Sequence, residues 1–109
     1  MIMIDVVLDS AEILTSCRVS GHAHAGLKGG DVVCAAVSIL TRTALQILSL
    51  AEGIVVRGGP FERGVFLMEI EYTAAGKDTL FVAGAFLIEG LHSVSEEYPD
   101  YCTMTIRRN

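Results

Sequence analysis

Two spacings of apolar residues, every second position and every third or fourth, take turns along this chain and mark out its elements. Ile2 to Leu8 is rich in β-branched residues and is followed by turn chemistry at Asp9-Ser10. Glu12 to Ser20 partly alternates, with Ile13 and Val19 on one face, so the two segments read as a β-hairpin. Residues 21–30 then hold four glycines, Gly21, Gly26, Gly29 and Gly30, the mark of a mobile loop. A helix is expected from an N-cap at Asp31 to about Ala51, with Gly53 just past its end. Its apolar positions, from Val32 and Val33 to Ile47 and Leu48, go nearly all the way round, which predicts cover on more than one side.

Ile54 to Arg57 suits a short strand, which Gly58-Gly59-Pro60 should break. Gly64 to Thr73 alternates well. Asp78 to about Glu97 returns to helical spacing, with Leu80, Ala83, Phe86, Leu87, Leu91 and Val94 on one stripe, and Tyr101 to Arg107 alternates again. The order is ββα, one or two strands, α, β. It predicts an α/β fold of the α+β type: a single compact domain over residues 1–109, with two helices packed on an antiparallel or mixed sheet of four to six strands.

Composition adds a second subunit to this picture. Hydrophobic residues make up 51% of only 109, more than so short a chain buries alone, so a homodimer is expected. A formal net charge of −5 argues against direct nucleic-acid binding and favours a basic peptide as partner. The N-terminal MIMIDVVLDSA lacks the basic start of a signal peptide. The long apolar run from Val32 is interrupted by Ser38, Thr41, Arg42, Thr43 and Gln46, which suits a core helix better than a membrane span. A soluble, cytoplasmic protein is expected. Three cysteines make an odd count with no secretory context, so Cys17 and Cys102, in strand-like runs, should be buried, inert thiols. His92, near the end of the second helix, suits a favourable interaction with the helix dipole.

The chemistry gathers where the glycine loop meets the first helix. Cys34 falls in that helix's first turn, where unpaired N–H groups and the dipole favour a thiolate and can hold an oxyanion. His22 can fold back across the loop to share the thiol proton. Asp31 can cap the helix or orient an imidazole, and Ser38 lies one turn beyond Cys34 on the same face. The ordinary roles of such residues are a core cysteine and a solvated loop histidine. A zinc site of His22, His24 and Cys34 lacks a second nearby cysteine, so no metal is expected. A phosphate loop is disfavoured too: G-x-x-x-x-G-K-[ST] is absent, and Asp31 would repel the anion.

Gly21-His22-Ala23, then Gly26, Gly29, Asp31, Val33-Cys34-Ala35-Ala36 and Ser38 closely resemble the signature of the ribosomal-processing cysteine protease family (Prp). The resemblance covers about 20 residues, and His24 is not part of the pattern. It implies a small homodimeric protease without a cofactor, with His22 as general base and Cys34 as nucleophile. Gly21, Asp31 and Ser38 would be supporting or substrate-binding residues, and the segment holding Ala23, His24, Gly26, Gly29 and Gly30 a mobile cover. The substrate implied is the N-terminal extension of a ribosomal large-subunit protein. The rival readings are a non-catalytic ribosome-assembly module for the same basic protein and a dimerising structural domain.

Overall fold

The computed structural model describes residues 1–21, 30–62 and 64–109. Strands β1 (Ile2–Leu8) and β2 (Leu14–Gly21) precede helix α1 (Gly30–Leu50). Strands β3 (Ile54–Glu62) and β4 (Val65–Tyr72), a 3₁₀ turn at Ala74–Gly76, helix α2 (Lys77–Glu97) and strand β5 (Cys102–Arg108) complete the order. All five strands join one mixed sheet in the order β3-β4-β2-β1-β5. β1 runs antiparallel to β2 and parallel to β5. The expected α+β architecture of two helices on a mixed sheet is what the chain adopts.

The register explains the core. Ile4 lies opposite Val19 and Met104, and Val19 opposite Phe66, while Val6 pairs with Cys17 and Cys17 with Met68. Directly paired residues share a face, so these side chains form one apolar surface. Val33, Val37, Ala44 and Leu48 of α1 and Leu80, Leu87 and Leu91 of α2 pack onto it. At the far end of the hairpin the Asp9 carboxylate accepts the N–H groups of Ala11 (2.9 Å) and Ile13 (3.1 Å) and the Tyr72 hydroxyl (2.5 Å), which ties the turn to β4.

Four expectations need correcting. First, β3 does not stop at Arg57 but runs on through Gly58, Gly59 and Pro60. It is an edge strand, where a proline need not donate to the ladder. Gly58 is needed there, since a Cβ would stand 1.9 Å from the Leu67 carbonyl oxygen. Second, α1 begins at Gly30, so Asp31 lies inside the first turn rather than at the cap, and Gly30 belongs to the helix and is buried, not part of a loop. Third, the apolar surface round α1 is covered only in part: the helix packs on the sheet and, through Leu40, against Gly90 of α2, while Val32, Ile39 and Ile47 are each more than half exposed. By length and composition α1 could cross a membrane, yet its Val33 to Leu48 stripe completes the core of the sheet. Fourth, Phe86 is 74% exposed, because the inward stripe of α2 is Leu80, Gly84, Leu87 and Leu91. Phe86 stands about 100° round the helix from Leu87.

Candidate active site at the start of the first helix

Gly21 ends β2 with φ +86°, and a Cβ on it would sit 2.3 Å from the Met1 carbonyl oxygen. Only glycine fits a position that combines a left-handed backbone with so close a neighbour. Its N–H donates to the Gly64 carbonyl (3.1 Å), which joins the end of β2 to the start of β4. His22, Ala23, His24, Gly26 and Gly29 follow and lie outside the described residues.

The chain re-enters at Gly30, and Cys34 closes the first turn of α1, half-buried against the core. It opens onto a pocket of about 350 Å³. Along α1 the lining is Cys34, Ser38 and Arg42 at i, i+4 and i+8; across from them stand Ile2, Val19, Val65 and Phe66 of the sheet. Thr41 also lines the pocket, but its hydroxyl is spent inside the helix on the carbonyls of Val37 (2.8 Å) and Ser38 (3.3 Å). Asp31 is exposed in the first turn, where a carboxylate favours the helix dipole. Of the anticipated group, the structure therefore brings Gly21, Cys34 and Ser38 to one pocket.

The other two thiols are of a different kind. Cys17 lies fully buried at the centre of the sheet, and burial, aided by the nearby Asp5 carboxylate, pushes its pKa up to about 12. Burial also raises that of Cys102. Both thiols are buried, as expected. His92 pairs with Glu96 at 3.4 Å on the exposed surface of α2, away from the pocket. Among the described residues no three His, Cys, Asp or Glu side chains gather as a metal site would require. The pocket's sheet wall and Arg42 were not singled out from the sequence. The i, i+4, i+8 spacing of Arg42 was a readable signal, whereas Val65 and Phe66 reach the site only through strand pairing.

A half-buried thiol on the first turn of a helix, open to a largely apolar pocket, is a setting in which a thiol can serve as a nucleophile. The chain belongs to the family of the cysteine protease Prp, whose model matches residues 1–103. Its fold is similar to that of SMU.848 from Streptococcus mutans, with a TM-score of 0.82 and 27% identity over 100% of this chain and 96% of that one. It is similar also to the essential ribosomal processing protease Prp of S. aureus, solved in complex with a substrate peptide. There the TM-score is 0.81 at 20% identity, over 98% of this chain and 100% of that one. A 3-phosphoshikimate 1-carboxyvinyltransferase of Korarchaeum cryptofilum is 30% identical over 93 residues, 77% of this chain; the match spans only 21% of that enzyme's length.

Proposed function

We propose that this chain is a cysteine endopeptidase that removes the N-terminal extension of a ribosomal large-subunit protein in the cytoplasm. The observation that carries the reading is the seat of Cys34, half-buried on the first turn of α1 and open to the pocket between helix and sheet. In the mechanism, His22 takes the thiol proton and the Cys34 sulfur attacks the scissile carbonyl carbon. Free N–H groups at the start of α1 hold the oxyanion as the tetrahedral intermediate forms. The C–N bond then breaks, His22 protonates the leaving amine, and water hydrolyses the thioester to free the new C-terminus. An acidic chain suits a basic ribosomal substrate.

The active form is a homodimer joined through its helices. Ile39, Ile47, Val82 and Phe86 are all at least half exposed and line an apolar groove of about 770 Å³ between α1 and α2. Exposed apolar surface of this kind marks an interface. Sedimentation at micromolar concentration should give twice the chain mass, and Phe86→Glu should shift it to the monomer. The catalytic reading is tested by incubating the protein with a peptide spanning the extension and mature N-terminus of the cognate ribosomal protein. A single cut, absent with Cys34→Ala, supports the enzyme. Tight binding without any cut favours the assembly module instead.

A further inference from the structure

We propose that Arg42 is a specificity-determining residue that makes this site select a peptide with a carboxylate side chain two or three residues from the scissile bond. The inference rests on the peptidase reading above and adds the register of the substrate. Cys34, Ser38 and Arg42 lie on one face of α1 and line one pocket. Their spacing puts Cα42 about 12 Å along the helix axis from Cα34. Helical side chains tilt back toward the N-terminus, which puts the turn of Ser38, on the thiol's side, within reach of the Arg42 guanidinium. An extended peptide advances about 3.3 Å per residue, which sets the group facing Arg42 two or three residues from the carbonyl at Cys34.

The chemistry of that subsite follows from its lining. The opposite wall, Val19, Val65 and Phe66, offers apolar side chains. Thr41 has already committed its hydroxyl to the helix. Arg42 has no ion pair or hydrogen bond among the described residues, unlike Arg57, held by Glu71, and Arg108, held by Glu12. It is therefore a cation at the pocket with no counter-ion among the described side chains, in a chain whose net charge is −5. A planar guanidinium takes a carboxylate in two parallel hydrogen bonds and repels a lysine. An acidic residue at this one place in an otherwise basic segment would fix which bond meets the thiol.

The test uses fluorescent peptides of the cognate extension junction, in which each residue within four of the cut is replaced in turn by Glu, Gln or Lys. Binding is measured on Cys34→Ala protein and cleavage on protein with Cys34 intact. At one position, two or three from the cut, Glu should bind about fivefold more tightly than Gln, and Lys more weakly still. Arg42→Gln should erase the difference between Glu and Gln there, and Arg42→Glu should reverse the order in favour of Lys. Circular dichroism of each variant separates these effects from unfolding. Equal binding of Glu and Gln peptides at every position overturns the proposal but leaves the peptidase standing. A Glu preference that survives Arg42→Gln overturns it in the same way. If no junction peptide is bound or cut, the peptidase reading fails and the subsite falls with it.

Discussion

Cys17 and Cys34 carry the same side chain in opposite settings. Cys17 sits mid-sheet, flanked in the ladder by Val6 and Met68 and fully removed from solvent. Its pKa is driven up to about 12 chiefly because a thiolate there would lose its hydration with nothing in exchange. Cys34 sits where the sheet ends and the helix begins, half-buried, facing a pocket and a helix N-terminus. The difference is made by position in the fold: strands on both sides close the first site, while the second stands on the first turn of a helix beside a pocket.

The sharpest way to break this comparison is to remove each sulfur. Cys34→Ala should lower cleavage of the junction peptide by about 10⁴-fold or more, since no other group takes over the covalent step. His22→Ala should cost about 100- to 10,000-fold, and His24→Ala should keep most activity. Cys17→Ala should leave turnover in place and instead cost about 1–2 kcal/mol in urea unfolding, from lost core volume. Comparable losses of turnover at Cys17 and Cys34 would end the distinction. Alkylation followed by peptide mapping probes it without mutation. At neutral pH iodoacetamide should label Cys34 within minutes, while Cys17 and Cys102 should react only once denaturant unfolds the sheet.

Backbone strain beside the pocket supplies a third test. Gly21→Ala combines a left-handed φ with a Cβ 2.3 Å from the Met1 carbonyl oxygen, and should destabilise by more than about 1–2 kcal/mol, with weakened peptide binding. Gly59→Ala is the control: its φ of +137° is also strained, but its Cβ would meet nothing within 4 Å. Gly59→Ala should therefore cost less and leave binding alone. The smallest effect lies at the closed end of the molecule, where Asp9 holds the hairpin turn. The hydrogen bond from Tyr72 is the largest cause that lowers the pKa of Asp9. A lowered carboxyl pKa contributes stability above its unfolded value, about 3.9, and that contribution is lost as pH falls through the folded value. Tyr72→Phe should thus be less stable than the native chain at pH 7. The two stabilities should converge below about pH 4, as read from urea midpoints across pH. A constant gap across pH would assign the loss at Tyr72 to packing alone.

The hydrophobic spacing alone was enough for both helices, for the β1–β2 hairpin and for the one-face core, because each rests on a local period of two or 3.6. Cys34 and Ser38 were legible for a related reason, since a thiol and a hydroxyl four residues apart share one helix face. Gly21 was legible only through the resemblance of Gly21-His22-Ala23 to a family signature. Local pattern misled where a long-range partner overrode it. Gly58-Gly59-Pro60 looks like a break, yet pairing with Met68, Leu67 and Phe66 on β4 carries β3 straight through. Phe86 looks like core, yet Gly84 takes the inward place against Leu14, because a Cβ there would already press to 3.1 Å.

Which strand lies beside which could not be had from spacing. β5 pairs parallel to β1 from the other end of the chain, and β4 rather than β3 meets β2. These choices depend on how two twisted layers close over one apolar face, a property of the assembled sheet and not of any segment. The pocket inherits that dependence. The sequence alone determined that a thiol would stand at the start of α1; tertiary structure decided that Val19, Val65 and Phe66 would face it and that Arg42 would share its pocket. Period sets which way a side chain points along its own element, and only packing between elements sets what it points at.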